Sequence, residues 1–136
     1  MVPMSDVTDE LDDSPILRKC WGMRWASCVF SCETCRRRRT PWLIGPRDVA
    51  IIWERHILNS AAIVPFVRES TAKKQFKTVA DIGSGGGFPR YRCGRMPAGS
   101  PVTLVEPMER RIEWLNECVE DMELENVTVV RARLMR

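Results

Sequence analysis

An acid and three glycines at alternate positions, Asp81-x-Gly83-x-Gly85-x-Gly87, carry the clearest chemistry of this sequence, within Val79-Ala-Asp-Ile-Gly-Ser-Gly-Gly-Gly-Phe88. Glycines at that density let backbone approach a ligand and permit positive φ, where a side chain would clash. Gly83, Gly85 and Gly87 are therefore candidates for a turn that cradles a ligand. A dinucleotide fingerprint runs Gly-x-Gly-x-x-Gly, and counting from Gly83 the sixth position is Phe88, which argues against NAD. A carboxylate at the end of the following strand holds ribose hydroxyls in nucleotide sites, and Glu106 stands there, 25 positions after Asp81. Either feature alone is weakly specific: glycines also make flexible loops, and an acid also suits the positive end of a helix. Together, on consecutive strand ends, they favour a site.

The flanking pattern supplies the elements that position them. Thr78 to Ile82 is a short apolar run ending in glycines, as in a buried parallel strand feeding a tight turn, and Val102 to Glu106 repeats it. Pro107 opens a helix with apolar positions Met108, Ile112, Leu115, Val119 and Met122, spaced four, three, four and three. Leu124-Glu-Asn126 turns the chain into a third strand, Val127 to Arg131. Strand, helix and strand in this order predict right-handed crossovers and a parallel sheet, hence an α/β fold. Upstream, Pro46 suits a helix start, and Val49, Ile52, Trp53, His56 and Ser60 or Ile63 share one stripe, predicting a helix over about 46–59. A shorter helix is expected near 61–68, interrupted at Pro65, followed by a polar linker from Glu69 to Phe76.

The 136 residues allow one domain, and 44% hydrophobic with 29% charged residues is a globular composition. No apolar run approaches the roughly 20 residues that span a bilayer, and the start lacks the features of a secretory signal, so the expected location is cytoplasmic with no membrane partner. Three regions are expected: an acidic mobile tail at 1–15, an N-terminal helical region at 16–76, and the sheet-forming domain at 77–136. The net charge is +3, unevenly spread. The run Arg36 to Arg39 either contacts RNA phosphates or faces water as a solvated loop. Cys20, Cys28, Cys32 and Cys35 do not form two matched C-x-x-C knuckles, so free thiols and no metal are expected. A non-catalytic RNA-binding or zinc-binding fragment built on these residues is the alternative reading.

Three blocks of the sequence resemble the bacterial 16S rRNA guanine-N7 methyltransferases, also called glucose-inhibited division protein B or RsmG. They are Leu43-Ile-Gly-Pro-Arg-Asp48 with Trp53-Glu-Arg-His-Ile-Leu-Asn-Ser60, then Val79 to Pro89, then Val102-Thr-Leu-Val-Glu-Pro-Met-Glu-Arg-Arg111 running on to Asn126-Val-Thr-Val-Val130. The first block makes the resemblance specific, because many methyltransferases share the glycine turn. The resemblance implies a Rossmann-like class I fold with N-terminal helices and methyl transfer from S-adenosyl-L-methionine to guanine N7 of 16S rRNA in the small ribosomal subunit, with no DNA partner. It places Gly83, Ser84, Gly85, Gly87 and Phe88 around the cofactor, Glu106 on its ribose, Asp81 in support, and Arg133 near cofactor and RNA as the candidate catalytic residue.

N7 carries an accessible lone pair, so no base is required, and His56 and Trp53 are expected to pack rather than react. The chain departs from the family in two stretches. Residues 90–101 hold two glycines, two prolines and three arginines where the family has an amphipathic helix, and residues 16–42 occupy the place of family helices without resembling them. The resemblance also implies further strands and helices after Arg136. The sheet is thus expected to be incomplete, with β-edge groups exposed at Val79 to Ile82 and little methyl transfer by this chain alone.

Overall fold

The computed structural model describes residues 11, 13–21, 43–45, 47–86 and 100–133. Three parallel strands, β1 (Val79–Ile82), β2 (Val102–Glu106) and β3 (Val127–Arg131), lie in the order β1-β2-β3. Val79 stands beside Val102 and Val102 beside Val127, and the register continues to Glu106 beside Arg131. All three strands thus end together, and the glycine turn, Glu106 and the segment after β3 share the carboxyl end of the sheet.

Alternation along β2 buries Val102, Leu104 and Glu106, leaving Thr103 and Val105 half-buried on the other face. The buried face is covered by residues from both sides of the glycine turn in sequence. Ile44, Ile52, Trp53 and Ile57 join Val102, Leu104, Trp114, Leu115 and Cys118 in one core, with Leu11, Leu17 and Val129 packed at its margin. Burying side chains such as Trp53, Ile52 and Leu115 stabilises by roughly 1.5–3 kcal/mol each. On the opposite face Ile82 and Val130 are exposed, and β1 pairs on one side only among the described residues.

Helix α1 (Pro15–Trp21) begins with proline in its first turn and with Ser14 accepting from the Leu17 N–H at 3.4 Å. The helix expected over 46–59 is wound unevenly: a 3-10 turn at Val49–Ile51, a π-helical stretch at Trp53–Leu58 and an α turn at Asn59–Ala61. Ile57, one position after the expected stripe residue His56, shares the buried face with Ile52 and Trp53. Pro65 does not interrupt the next helix. It stands at the start of α2 (Val64–Ala72), where its missing N–H would have no partner anyway, and α2 therefore extends through residues expected to be linker.

Helix α3 (Glu109–Asp121) follows β2 as expected, but its buried face is Trp114, Leu115 and Cys118, while Met108 is 52% exposed. Tryptophan and cysteine are as apolar as the aliphatic residues counted in the expected stripe, and including them rotates the face by one position. At the far end Glu123 takes φ +51° and Leu124 N–H returns to the Val119 carbonyl at 3.0 Å, reversing the chain toward β3. The Asn126 side chain donates to the Ser100 carbonyl at 2.8 Å and ties the starts of β3 and β2 together.

Candidate nucleotide-binding site

The turn after β1 is fastened to β2 by backbone bonds. The N–H groups of Gly83 and Ser84 both donate to the Val105 carbonyl, at 2.8 and 3.0 Å, and the Ser84 hydroxyl donates back to the Asp81 carbonyl at 2.9 Å. This path requires φ of +78° at Gly83 and +59° at Gly85, conformations that L side chains adopt only at a cost. Among the described residues a Cβ placed on Gly83 would meet nothing within 4 Å, and one on Gly85 would meet only the Gly83 carbonyl, at 3.9 Å. Backbone conformation is what demands glycine at these two positions.

Glu106 locks the turn to the next helix. Its Oε2 accepts from the Gly85 N–H at 2.9 Å, and its Oε1 accepts from the Met108 N–H at 3.1 Å. The Arg111 guanidinium lies 3.6 Å from Oε1. The residue is 1% exposed, and burial of a carboxylate costs several kcal/mol unless such partners offset it. A third tie comes from Trp114, whose indole N–H donates to the Gly86 carbonyl at 2.9 Å. Glycine turn, acid and helix thus form one hydrogen-bonded unit at the carboxyl end of a parallel sheet, where open α/β sheets bind ligands.

Among the predicted residues, Asp81, Gly83, Ser84, Gly85 and Glu106 are brought together here, with Asp81 buried beneath the turn. Arg133 is exposed, two positions after β3; β2 separates that strand from the glycine turn. Gly87 and Phe88 lie outside the described residues, as do Arg36 to Arg39, Cys28, Cys32, Cys35 and most of the 16–42 and 90–101 stretches. Among the described residues no group of three or more His, Cys, Asp or Glu is placed to hold a metal ion, and no helix is long and apolar enough to cross a membrane. Sequence reasoning missed Trp114 and Arg111. The signal available was their position in the first two turns of the helix that Glu106 introduces, Arg111 five and Trp114 eight residues after that acid.

His56 belongs to a separate cluster. Its Nε2 and the Arg55 Nε each lie 3.6 Å from an Asp48 carboxylate oxygen, a range for charge attraction rather than hydrogen bonding. Burial holds the imidazole pKa below its ordinary 6.5; Asp48 pulls upward, and Arg55 adds to the lowering. Burial prevails, because the ring has lost most of the water that would solvate its cation. Below pH 6.5 the unfolded chain therefore binds the proton more readily than the folded one. Stability is expected to be full above about pH 6.5 and to fall as the pH drops below it. Urea midpoints measured between about pH 7.5 and 5.5 check this: they should decline in the native sequence and flatten in His56→Gln. A midpoint that rises on acidification contradicts it.

The fold and this site define a Rossmann-like α/β domain with a nucleotide-type turn. Comparison with known proteins then places it: the chain belongs to the GidB family, rRNA small subunit methyltransferase G, whose model matches residues 39–136. It is 62% identical over 134 residues to ribosomal RNA small subunit methyltransferase G of Bifidobacterium adolescentis, covering 98% of this chain and 54% of that relative. The protein of the same name from Bifidobacterium longum is 52% identical over 128 residues, covering 93% of this chain and 58% of the relative. That from Pseudarthrobacter chlorophenolicus is 43% identical over 91 residues, 67% of this chain and 39% of the relative. The chain thus spans about half the length of its two Bifidobacterium relatives. The family match begins after most of the 16–42 stretch, whereas the B. adolescentis alignment, at 98% of the chain, runs through it.

Proposed function

We propose that the glycine turn and Glu106 bind S-adenosyl-L-methionine for methyl transfer to guanine N7 of 16S rRNA in the small ribosomal subunit, in the cytoplasm. The observation that carries the reading is the 2.9 Å bond from the Gly85 N–H to the Glu106 carboxylate, which joins the turn and the acid in one unit. The donor set suits this cofactor: a positive-φ glycine turn for close backbone approach, and a carboxylate for the ribose diol. Family membership and the names of the relatives support the same reading.

When bound, the cofactor supplies an electrophilic methyl group on a sulfonium. The chain's own residues orient rather than exchange protons, because guanine N7 attacks through a lone pair already exposed in the base. Gly83, Ser84 and Gly85 present backbone to the cofactor, and Asp81 supports the turn from the buried face of β1. Glu106 fixes the ribose. Arg133, exposed beyond β3 at the same end of the sheet, positions phosphate or base. Placement of the nucleophile in line with the methyl then accounts for the rate advantage. Calorimetric titration of the 136-residue protein with S-adenosyl-L-methionine is expected to show saturable binding at one site. An absence of heat up to about 1 mM cofactor, where binding free energy is only some 4 kcal/mol, overturns the reading.

A further inference from the structure

We propose that Arg111 is the positioning residue for the ribose-binding carboxylate, holding Glu106 by charge while leaving it enough acceptor capacity for a diol. The inference rests on the cofactor reading of the turn. A carboxylate has about four lone-pair sites. The Gly85 and Met108 N–H groups use one on each oxygen, at 2.9 and 3.1 Å. Arg111 Nη1 stands 3.6 Å from Oε1, close enough to attract but beyond hydrogen-bonding range. One acceptor site per oxygen is left, matching the two hydroxyls of a ribose.

The surroundings keep Arg111 at that distance. Glu106 Oε1 accepts from Met108 N–H, the Met108 carbonyl accepts from Arg111 N–H at 3.0 Å, and the Arg111 guanidinium returns to Oε1, closing a circuit across the start of α3. The guanidinium side is one-third exposed and the Glu106 side chain 2% exposed, so water screens the pair only from one direction. A cation in the first turn of a helix opposes the helix dipole. Arg111 occupies that position, third in α3, and Glu106 is the anion whose proximity offsets it. Glu109, the acid of that turn, instead pairs with Arg131 at 3.3 Å.

The test compares two ligands on the full chain: S-adenosylhomocysteine and the same molecule lacking both ribose hydroxyls. The native sequence should prefer the hydroxylated ligand. Arg111→Met should weaken that ligand roughly tenfold and leave the dideoxy form within about twofold, so that the preference collapses, with part of it restored in Arg111→Lys. Arg111→Gln gives an independent reading should the methionine variant fail to fold by circular dichroism. Equal loss for both ligands marks a merely structural residue and overturns the proposal, as does a preference unchanged by the substitutions. Failure of the underlying reading looks different: the native chain itself binds neither ligand, or binds both equally.

Discussion

Gly85→Val is expected to abolish saturable binding of S-adenosyl-L-methionine while leaving a folded protein. Gly85 sits at φ +59°, where a non-glycine residue costs roughly 1–2 kcal/mol and a β-branched one more. Among the described residues the nearest atom to an added Cβ is the Gly83 carbonyl, at 3.9 Å, an ordinary van der Waals contact. The structural cost is therefore conformational and modest, a drop in melting temperature of about 5–10 °C for a domain near this size. Binding suffers in a different way. The valine methyls occupy the space over the turn through which backbone meets ligand, and any relaxation of φ moves the N–H that donates to Glu106. Gly85→Ala should give the graded result, with affinity down about tenfold. Thermal melts establish folding, and calorimetry then reads binding. A folded valine variant that binds cofactor with native affinity would remove the turn from the site.

The parts legible in the sequence are those where local chemistry and tertiary demand agree. Val102 to Glu106 and Val127 to Arg131 are apolar or β-branched runs bounded by turn residues, and both are strands over those residues. The glycine turn was legible because positive φ leaves almost no residue but glycine. What was hidden lies where one residue type serves two purposes. Trp114 is at once a core side chain and a hydrogen-bond donor to Gly86, and no periodicity announces the second role. Arg111 reads as one more charge on a helix until its guanidinium is seen beside a buried carboxylate. Pro65 reads as a breaker because sequence alone does not show that α2 starts one residue before it. Within Trp53–Leu58 the expected stripe takes His56, which is half-buried, and passes over Ile57, which is fully buried.

The sheet carries a related lesson about dependence between distant parts. A purely parallel sheet is ordinarily covered on both faces, yet here both the 49–61 segment and α3 contribute to the one core that includes Val102 and Leu104. Crossovers of one hand, made twice in the same direction along the sheet, put their connections on the same face. The described crossover, α3 between β2 and β3, lies on the core face, and Ile82 and Val130 are exposed on the other. Among the described residues the turn and Glu106 are anchored by β2, α3 and their own backbone. The glycine turn and the acid are thus held by described elements of this chain.

Glu106 is the position where stability and binding are most tightly joined, and substituting it should damage both. Removing the carboxylate in Glu106→Ala leaves the N–H groups of Gly85 and Met108 without their acceptor and Arg111 without its counter-charge, at a residue 1% exposed. Breaking a buried pair by deleting one partner costs about 3–5 kcal/mol, a large share of the roughly 5–15 kcal/mol that holds a domain together. Loss of the folded state is the expected outcome for alanine. Glu106→Gln is the more informative variant, because it keeps the volume and one carbonyl oxygen. Its amide nitrogen must then face one of the two backbone donors, a conflict costing about 1–3 kcal/mol, and the attraction to Arg111 disappears. Urea unfolding should register that loss. Cofactor affinity should fall by at least about tenfold, because one ribose hydroxyl now meets a donor instead of an acceptor. If Glu106 served only to close the start of α3, the glutamine variant would lose stability and keep its affinity. Such a result would separate the acid from the ribose and leave the glycine turn as the only part of the site still supported.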